Sequence, residues 1–157
     1  GGGFASDAYH IAAPHPEGIG AVQAMEDALE EAGLNPADVH YINTHSTSTP
    51  VGDISETKAI EKVFANTLDK LHISSNKSMI GHLLGAAGSV EAIASVLSIR
   101  DNIIPPTINL YDPDKAIDVR LNLTPNKAVK KEVNVVLNNT FGFGGHIFVS
   151  LFKDFQE

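Results

Sequence analysis

The stretch Asn43-Thr44-His45-Ser46-Thr47-Ser48-Thr49-Pro50-Val51-Gly52-Asp53 joins two patterns of different period. Before it, Val39-His40-Tyr41-Ile42-Asn43 is short and rich in strand formers, and predicts a strand. After it, Ile60, Val63, Phe64 and Leu68 form one helical stripe, and Asp53 with Glu56 three residues on resembles a capping box. Strand, polar loop and capped helix in that order are one unit of an α/β fold.

The unit recurs downstream. Leu71-His72-Ile73-Ser74 predicts a second strand, Ser75-Asn76-Lys77-Ser78-Met79-Ile80-Gly81-His82 a second loop, and Val90, Ile93, Ala94 and Leu97 a helix from Leu84 to Ile99. Gly85-Ala86-Ala87-Gly88-Ser89 makes the first turns of that helix small, which predicts close approach and burial. Upstream, Val22, Met25, Leu29 and Ala32 mark a helix over Glu17–Ala32, closed by Gly33. Pro105-Pro106 opens a connecting segment expected on the surface. Val133–Asn138 and Ile147–Phe152 predict strands joined across Phe141-Gly142-Phe143-Gly144-Gly145 and paired antiparallel. The alternation predicts a layered α/β domain with a largely parallel sheet.

The 157 residues form one domain with an ordinary globular composition, 43% apolar and 19% charged. Eleven basic against nineteen acidic residues give a net charge of −8, which disfavours nucleic acid and anionic membranes. The nearest basic cluster, Lys127, Lys130 and Lys131, is followed by Glu132. The absence of cysteine excludes a disulfide scaffold, a thiolate metal site and a Cys nucleophile within these residues. No apolar run has the roughly 18 residues of a membrane span, and no charged, apolar leader is seen. The opening Gly1-Gly2-Gly3 without Met reads as a fragment or a processed piece.

In open α/β sheets, ligands bind beyond the carboxyl ends of the strands. With the strands read above, the loops of His45 and His82 fall there, and the glycines of the third loop allow close backbone approach and present N–H groups. Singly, each loop has a structural reading: turn and cap chemistry at 46–49, a tight hairpin at 141–145, close helix packing at 85–88. His10, His15, His40 and His72 are expected to be structural. A metal at His45 and His82 needs a third ligand; Asp53 is nearest but serves better as a cap, so no metal is expected.

Together the loops resemble the carboxy-terminal half of β-ketoacyl-acyl-carrier-protein synthases of the elongating type, which have the thiolase fold. Residues 43–50 are similar to N-A-H-G-T-S-T-P, 76–82 to T-K-S-M-T-G-H, 105–110 to P-P-T-x-N-L, and 139–145 to N-S-F-G-F-G-G. The resemblance begins at Ser6-Asp7-Ala8-Tyr9-His10 and covers essentially the whole chain. It implies a thiolase-like half, a mixed five-stranded β-sheet layered with helices and paired with a second similar half.

The activity it implies is decarboxylative Claisen condensation of malonyl-carrier protein with acyl-carrier protein, giving 3-oxoacyl-carrier protein and CO₂ in fatty-acid synthesis. A polyketide ketosynthase keeps the same motifs, and a non-catalytic half that binds carrier protein or a partner chain is the alternative of another class. His45 and His82 match the family's active-site histidines and Lys77 its lysine. Glu91 matches a buried glutamate near that lysine; by sequence alone it is a solvated carboxylate, and burial would require a partner. Phe143 matches the gating, oxyanion-forming phenylalanine, with Gly142 and Gly144 expected to free its backbone. Thr47 and Thr49 match residues that bind phosphopantetheine.

The resemblance further implies acyl carrier protein as partner, a homodimer, and no cofactor beyond the carrier's pantetheine. The location is cytoplasmic if bacterial, mitochondrial or plastid if eukaryotic. The family nucleophile is a Cys of the amino-terminal half, expected roughly 140 residues upstream, so this chain alone is predicted to be inactive. The chain departs from the family at Ser46, where Gly or Ala is usual, at Asn76, at Ile80 and at His146-Ile147.

Overall fold

The computed structural model describes residues 1–155. Five strands form one sheet: β1 (Gly2–Ser6), β2 (Tyr41–Asn43), β3 (His72–Ser74), and the long hairpin β4 (Val135–Gly142) and β5 (His146–Lys153). Their order is β1-β5-β4-β2-β3. β2 runs parallel to β3 and to β4, while β4 with β5 and β1 with β5 are antiparallel. The sheet is therefore mixed, not largely parallel. β1 has no strand signature in its glycine-rich sequence; it forms because β5 offers a free edge and because glycine lets it lie against a helix. A Cβ on Gly3 would sit 1.9 Å from the Ala24 carbonyl oxygen.

Two helices, α1 (Ile19–Ala32) and α2 (Pro50–Val63), cover one face. α1 ends as expected: Gly33 takes a left-handed conformation (φ 64°) and its N–H reaches the last carbonyls. The strand alternation sends Ile42, Ile73, Leu137, Val149 and Leu151 to this face, where they meet Val22, Met25, Leu29 and Ile60. Tyr41 and Val136 point to the other face and pack with Ile104 and Val133.

The capping box expected at Asp53 and Glu56 is absent. α2 begins three residues earlier, at Pro50 after Thr49, where proline's fixed φ suits the first helical position. Asp53 Oδ1 instead accepts the N–H groups of Ser48 and Thr49, at 3.1 and 3.4 Å. Glu56 is buried and turns inward.

The second loop contains a one-turn helix, α3 (Lys77–Ile80), and continues through a 3₁₀ turn at Leu84–Ala86 into α4 (Ala87–Asp101) on the opposite face of the sheet. α4 inverts the sequence expectation. Its buried residues are Ala87, Glu91, Ser95 and Ser98, whereas Ile93, Val96 and Leu97 are exposed. The expected close packing is local: Ala87 is buried and a Cβ on Gly88 would meet Thr140, but Gly85 and Ala86 are exposed. The segment after Pro105-Pro106 crosses the outer edge of β3, where Ile73 N–H bonds the Asn122 carbonyl. No helix among the described residues is long and apolar enough to cross a membrane.

Leu84, Ile93, Val96 and Leu97 expose apolar area on a single helix and its approach. Patches beyond a few hundred Å² are uncommon on monomers. The isolated chain is expected to self-associate; a monodisperse monomer by light scattering at about 100 µM, a concentration that populates micromolar dimers, would contradict this.

Candidate active site

β2, β3 and β4 are parallel and in register, with Asn43 beside both Ser74 and Asn138. Their carboxyl ends thus release all three motif loops at one edge of the sheet. The Asn43 side chain donates to the Glu91 carbonyl and the Asn138 side chain to the Gly88 carbonyl, which ties α4 to that edge.

His45 and His82 meet there edge to face, with ring centroids 5.5 Å apart and planes at 86°. His45 also stacks on Phe141 at 5.3 Å. His45 Nδ1 accepts the Phe141 N–H at 3.3 Å, and His82 Nδ1 accepts the Leu84 N–H at 3.3 Å. A ring nitrogen that accepts carries no proton, so each neutral imidazole holds its proton on Nε2. The two rings therefore offer two Nε2–H donors.

Burial is the main cause of a His45 pKa of about 3, below the ordinary 6.5; the positive charge of Lys77 and then His82 add to it. The sign follows from linkage. Between pH 6.5 and 3 the unfolded chain takes up a proton at this position that the folded chain refuses. Stability from this group is complete above pH 6.5 and is lost as the pH falls toward 3. Thermal melts across that window should fall with pH less steeply in His45→Gln than in the wild type; parallel slopes would count against the shift.

Lys77 and Glu91 form a buried ion pair, Nζ to Oε1 2.5 Å, with side chains 5% and 1% exposed. Glu91 therefore has the partner that burial requires, and it is not solvated as its sequence position suggests. Burial raises its pKa, and Lys77 opposes that rise.

Glu56 is a site residue that its reading as a cap concealed. Its carboxylate accepts His45 N–H (2.9 Å), Ser46 N–H (2.8 Å), Ser46 O–H (2.9 Å) and Asn139 Nδ2–H (2.9 Å). It thereby joins the His45 loop to the strand that leads to the glycine turn. Burial raises its pKa against those four hydrogen bonds.

Phe143 heads the turn at Phe143–Gly145 and is 80% exposed. The left-handed residues of this turn are Gly144 (φ 82°) and Gly145 (φ 78°), while Gly142 is ordinary extended backbone (φ −122°). The freedom expected of Gly142 thus belongs to Gly145. Two backbone bonds, Gly144 N–H to Ile11 and Asp7 N–H to Gly145, clasp this turn to the loop after β1. Thr47 is half-buried and Thr49 exposed, with hydroxyl oxygens 3.4 Å apart.

A cavity of about 990 Å³ is lined by His45, His82, Phe141, Phe143, Thr47 and Thr49, among others. A second, of about 400 Å³, touches Lys77 and shares Ser46, Thr47 and His82 with the first. Every residue singled out from the motifs thus borders this region, except Glu91, which lies beneath it and reaches it through Lys77.

Residues 1–111 match the family described as Beta-ketoacyl synthase, C-terminal domain. The chain belongs to that family. It is 49% identical over 156 residues to 3-oxoacyl-[acyl-carrier-protein] synthase 2 of Staphylococcus aureus (strain COL), covering 99% of this chain and 37% of that protein. A β-ketoacyl synthase from Burkholderia phymatum STM815 superposes with a TM-score of 0.91 at 34% identity, over 99% of this chain and 37% of that one. A type II polyketide ketosynthase in complex with its acyl-carrier protein superposes with a TM-score of 0.94 at 31% identity, over 99% and 38% of the two chains. The chain thus spans under two fifths of the curated relative. Among the departures, Asn76 is buried with its N–H toward Asn43 Oδ1, Ile80 is partly exposed, His146 lies 6.3 Å from Phe4 between ring centroids, and Ile147 enters the core.

Of the histidines expected to be structural, His10 and His15 accept backbone N–H groups within their own loop, and His72 contacts Thr124 and Asn122.

Proposed function

We propose that the chain is the carboxy-terminal half of an elongating 3-oxoacyl-carrier-protein synthase of fatty-acid synthesis. The observation that carries this is the pair of opposed imidazoles, each with Nδ1 occupied by a backbone N–H. Loss of CO₂ from a malonyl thioester breaks a C–C bond and leaves its electron pair in an enolate, with charge on the thioester oxygen. The Nε2–H groups of His45 and His82 donate to that oxygen, stabilising charge where it develops. The enolate carbon then attacks an acyl thioester, a new C–C bond forms, and the thiolate departs.

The Lys77 charge adds to the burial that keeps His45 neutral, and Glu91 holds Lys77 in place. Phe143 supplies a backbone N–H to the acyl oxyanion and a ring that closes the pocket. Thr47 and Thr49 bind the amides of the phosphopantetheine arm. The reading takes acyl carrier protein as partner, an amino-terminal half as the source of the Cys nucleophile, a homodimer, and no cofactor beyond pantetheine. Support for the fatty-acid context over the polyketide one comes from the 49% identity to the Staphylococcus synthase against 31% to the polyketide ketosynthase. Retention of His45 and His82 with rings 5.5 Å apart, and of Lys77 whose charge acts on His45, speaks against a purely binding half.

The test uses the full-length protein with malonyl- and acyl-carrier protein. CO₂ release and a 3-oxoacyl product identified by mass spectrometry are the expected result. Carrier binding without either would favour the binding reading. The 157-residue chain alone should give no condensation, and turnover by it would refute the need for a nucleophile elsewhere.

A further inference from the structure

Ser46 departs from the small residues usual at its position, and all three of its polar groups are occupied. Its N–H and its hydroxyl both donate to Glu56 Oε2, at 2.8 and 2.9 Å, beside the His45 N–H on Oε1. Its carbonyl accepts the Ser75 hydroxyl at 2.7 Å. Ser75 stands two residues before Lys77 and is itself fixed: its N–H donates to the Thr107 hydroxyl (3.0 Å), and its carbonyl accepts the Ser78 hydroxyl (2.8 Å). One residue thus connects the buried Glu56, the loop of His45, and the loop of Lys77 and His82. It also forms part of the wall shared by the two cavities.

We propose that Ser46 is a positioning residue whose hydroxyl and carbonyl together lock the His45 loop to the Lys77–His82 loop and so set the angle at which the two imidazoles meet. The inference rests on the condensing-enzyme reading for its kinetic consequence, but not for its structural one. A hydrogen bond to a buried carboxylate is stronger than one between neutral groups. Without the hydroxyl, Glu56 loses one of four donors, and the His45 backbone is held by fewer anchors. Alignment of donors toward a developing oxyanion is sensitive to small displacements, so the turnover number should suffer while substrate binding is spared.

The experiment uses the full-length protein and three variants, Ser46→Ala, Ser46→Thr and Ser75→Ala. Malonyl-carrier protein decarboxylation gives kcat and KM, and ¹⁵N-histidine spectra report the His45 ring nitrogens. Ser46→Ala should lower kcat on the order of tenfold, one hydrogen bond's worth of alignment, with KM unchanged within about twofold. Ser46→Thr, which keeps the hydroxyl, should recover most of the rate. The His45 Nδ1 resonance should move in Ser46→Ala and Ser75→Ala and stay in Ser46→Thr. Wild-type kcat together with an unmoved resonance in Ser46→Ala would overturn the proposal, as would an equal loss in Ser46→Ala and Ser46→Thr. A resonance unmoved in Ser75→Ala would remove the link between the loops. Should the wild-type protein release no CO₂, the condensing-enzyme reading fails by itself, and the resonance in the three variants still decides the role of Ser46.

Discussion

Substitution of His45 or His82 by alanine is expected to lower malonyl-carrier protein decarboxylation by the full-length protein by about 10²–10³-fold for each, the cost of deleting one preorganised oxyanion donor. The geometry sets the expectation. Each ring has its Nδ1 filled by a backbone N–H, so the proton on Nε2 is the one available to substrate. Glutamine at either position keeps an N–H donor at a similar reach and should lose less than alanine. The two losses should not multiply, because both donors serve one oxygen. The measurement is CO₂ release at saturating substrate. If His45→Ala and His82→Ala retained wild-type rates, the imidazole pair would not be the centre of the chemistry. If one alone mattered, the shared-oxygen arrangement would be wrong.

The second large effect is on stability. Glu91→Ala leaves the Lys77 ammonium buried without its counter-charge, and breaking a buried pair from one side costs about 3–5 kcal/mol. The side chains are 5% and 1% exposed, so water is poorly placed to substitute. The double replacement Lys77→Met with Glu91→Leu should regain most of that stability, because two apolar groups of similar size need no compensation. Its decarboxylation should stay below that of the wild type, since the positive charge that adds to burial in keeping His45 neutral is lost with Lys77. Urea unfolding of the full-length protein checks the first claim and CO₂ release the second. A Glu91→Ala variant within about 1 kcal/mol of wild type, inside the ordinary range for surface changes, would sink the buried-pair account.

Much of the site was legible from local pattern. Placing His45 and His82 after parallel strands needed only the strand, loop and helix periods, because parallel strands put successive carboxyl ends at one edge. Glu56 was hidden by a rule that holds elsewhere: an acid three residues into a helix pattern looks like a cap. Here the helix starts at Pro50, one turn of α2 faces inward at Glu56, and the partners that satisfy the carboxylate are 10 to 83 residues away.

Sequence alone determined most of the helices and strands, where the chemistry-bearing loops fall, and the family to which they belong, because those depend on periods and residue types within a few turns of chain. Tertiary structure decided the rest: that Gly2–Ser6 becomes an edge strand, that the sheet is mixed, and that α4 turns Glu91 and its serines inward while its apolar stripe faces out. Strand pairing and helix rotation are settled by groups distant in sequence. A helical period states that two faces differ, but which of them turns inward depends on what it meets, and here that is Asn43 and Asn138 of the sheet and the Lys77 ammonium of α3.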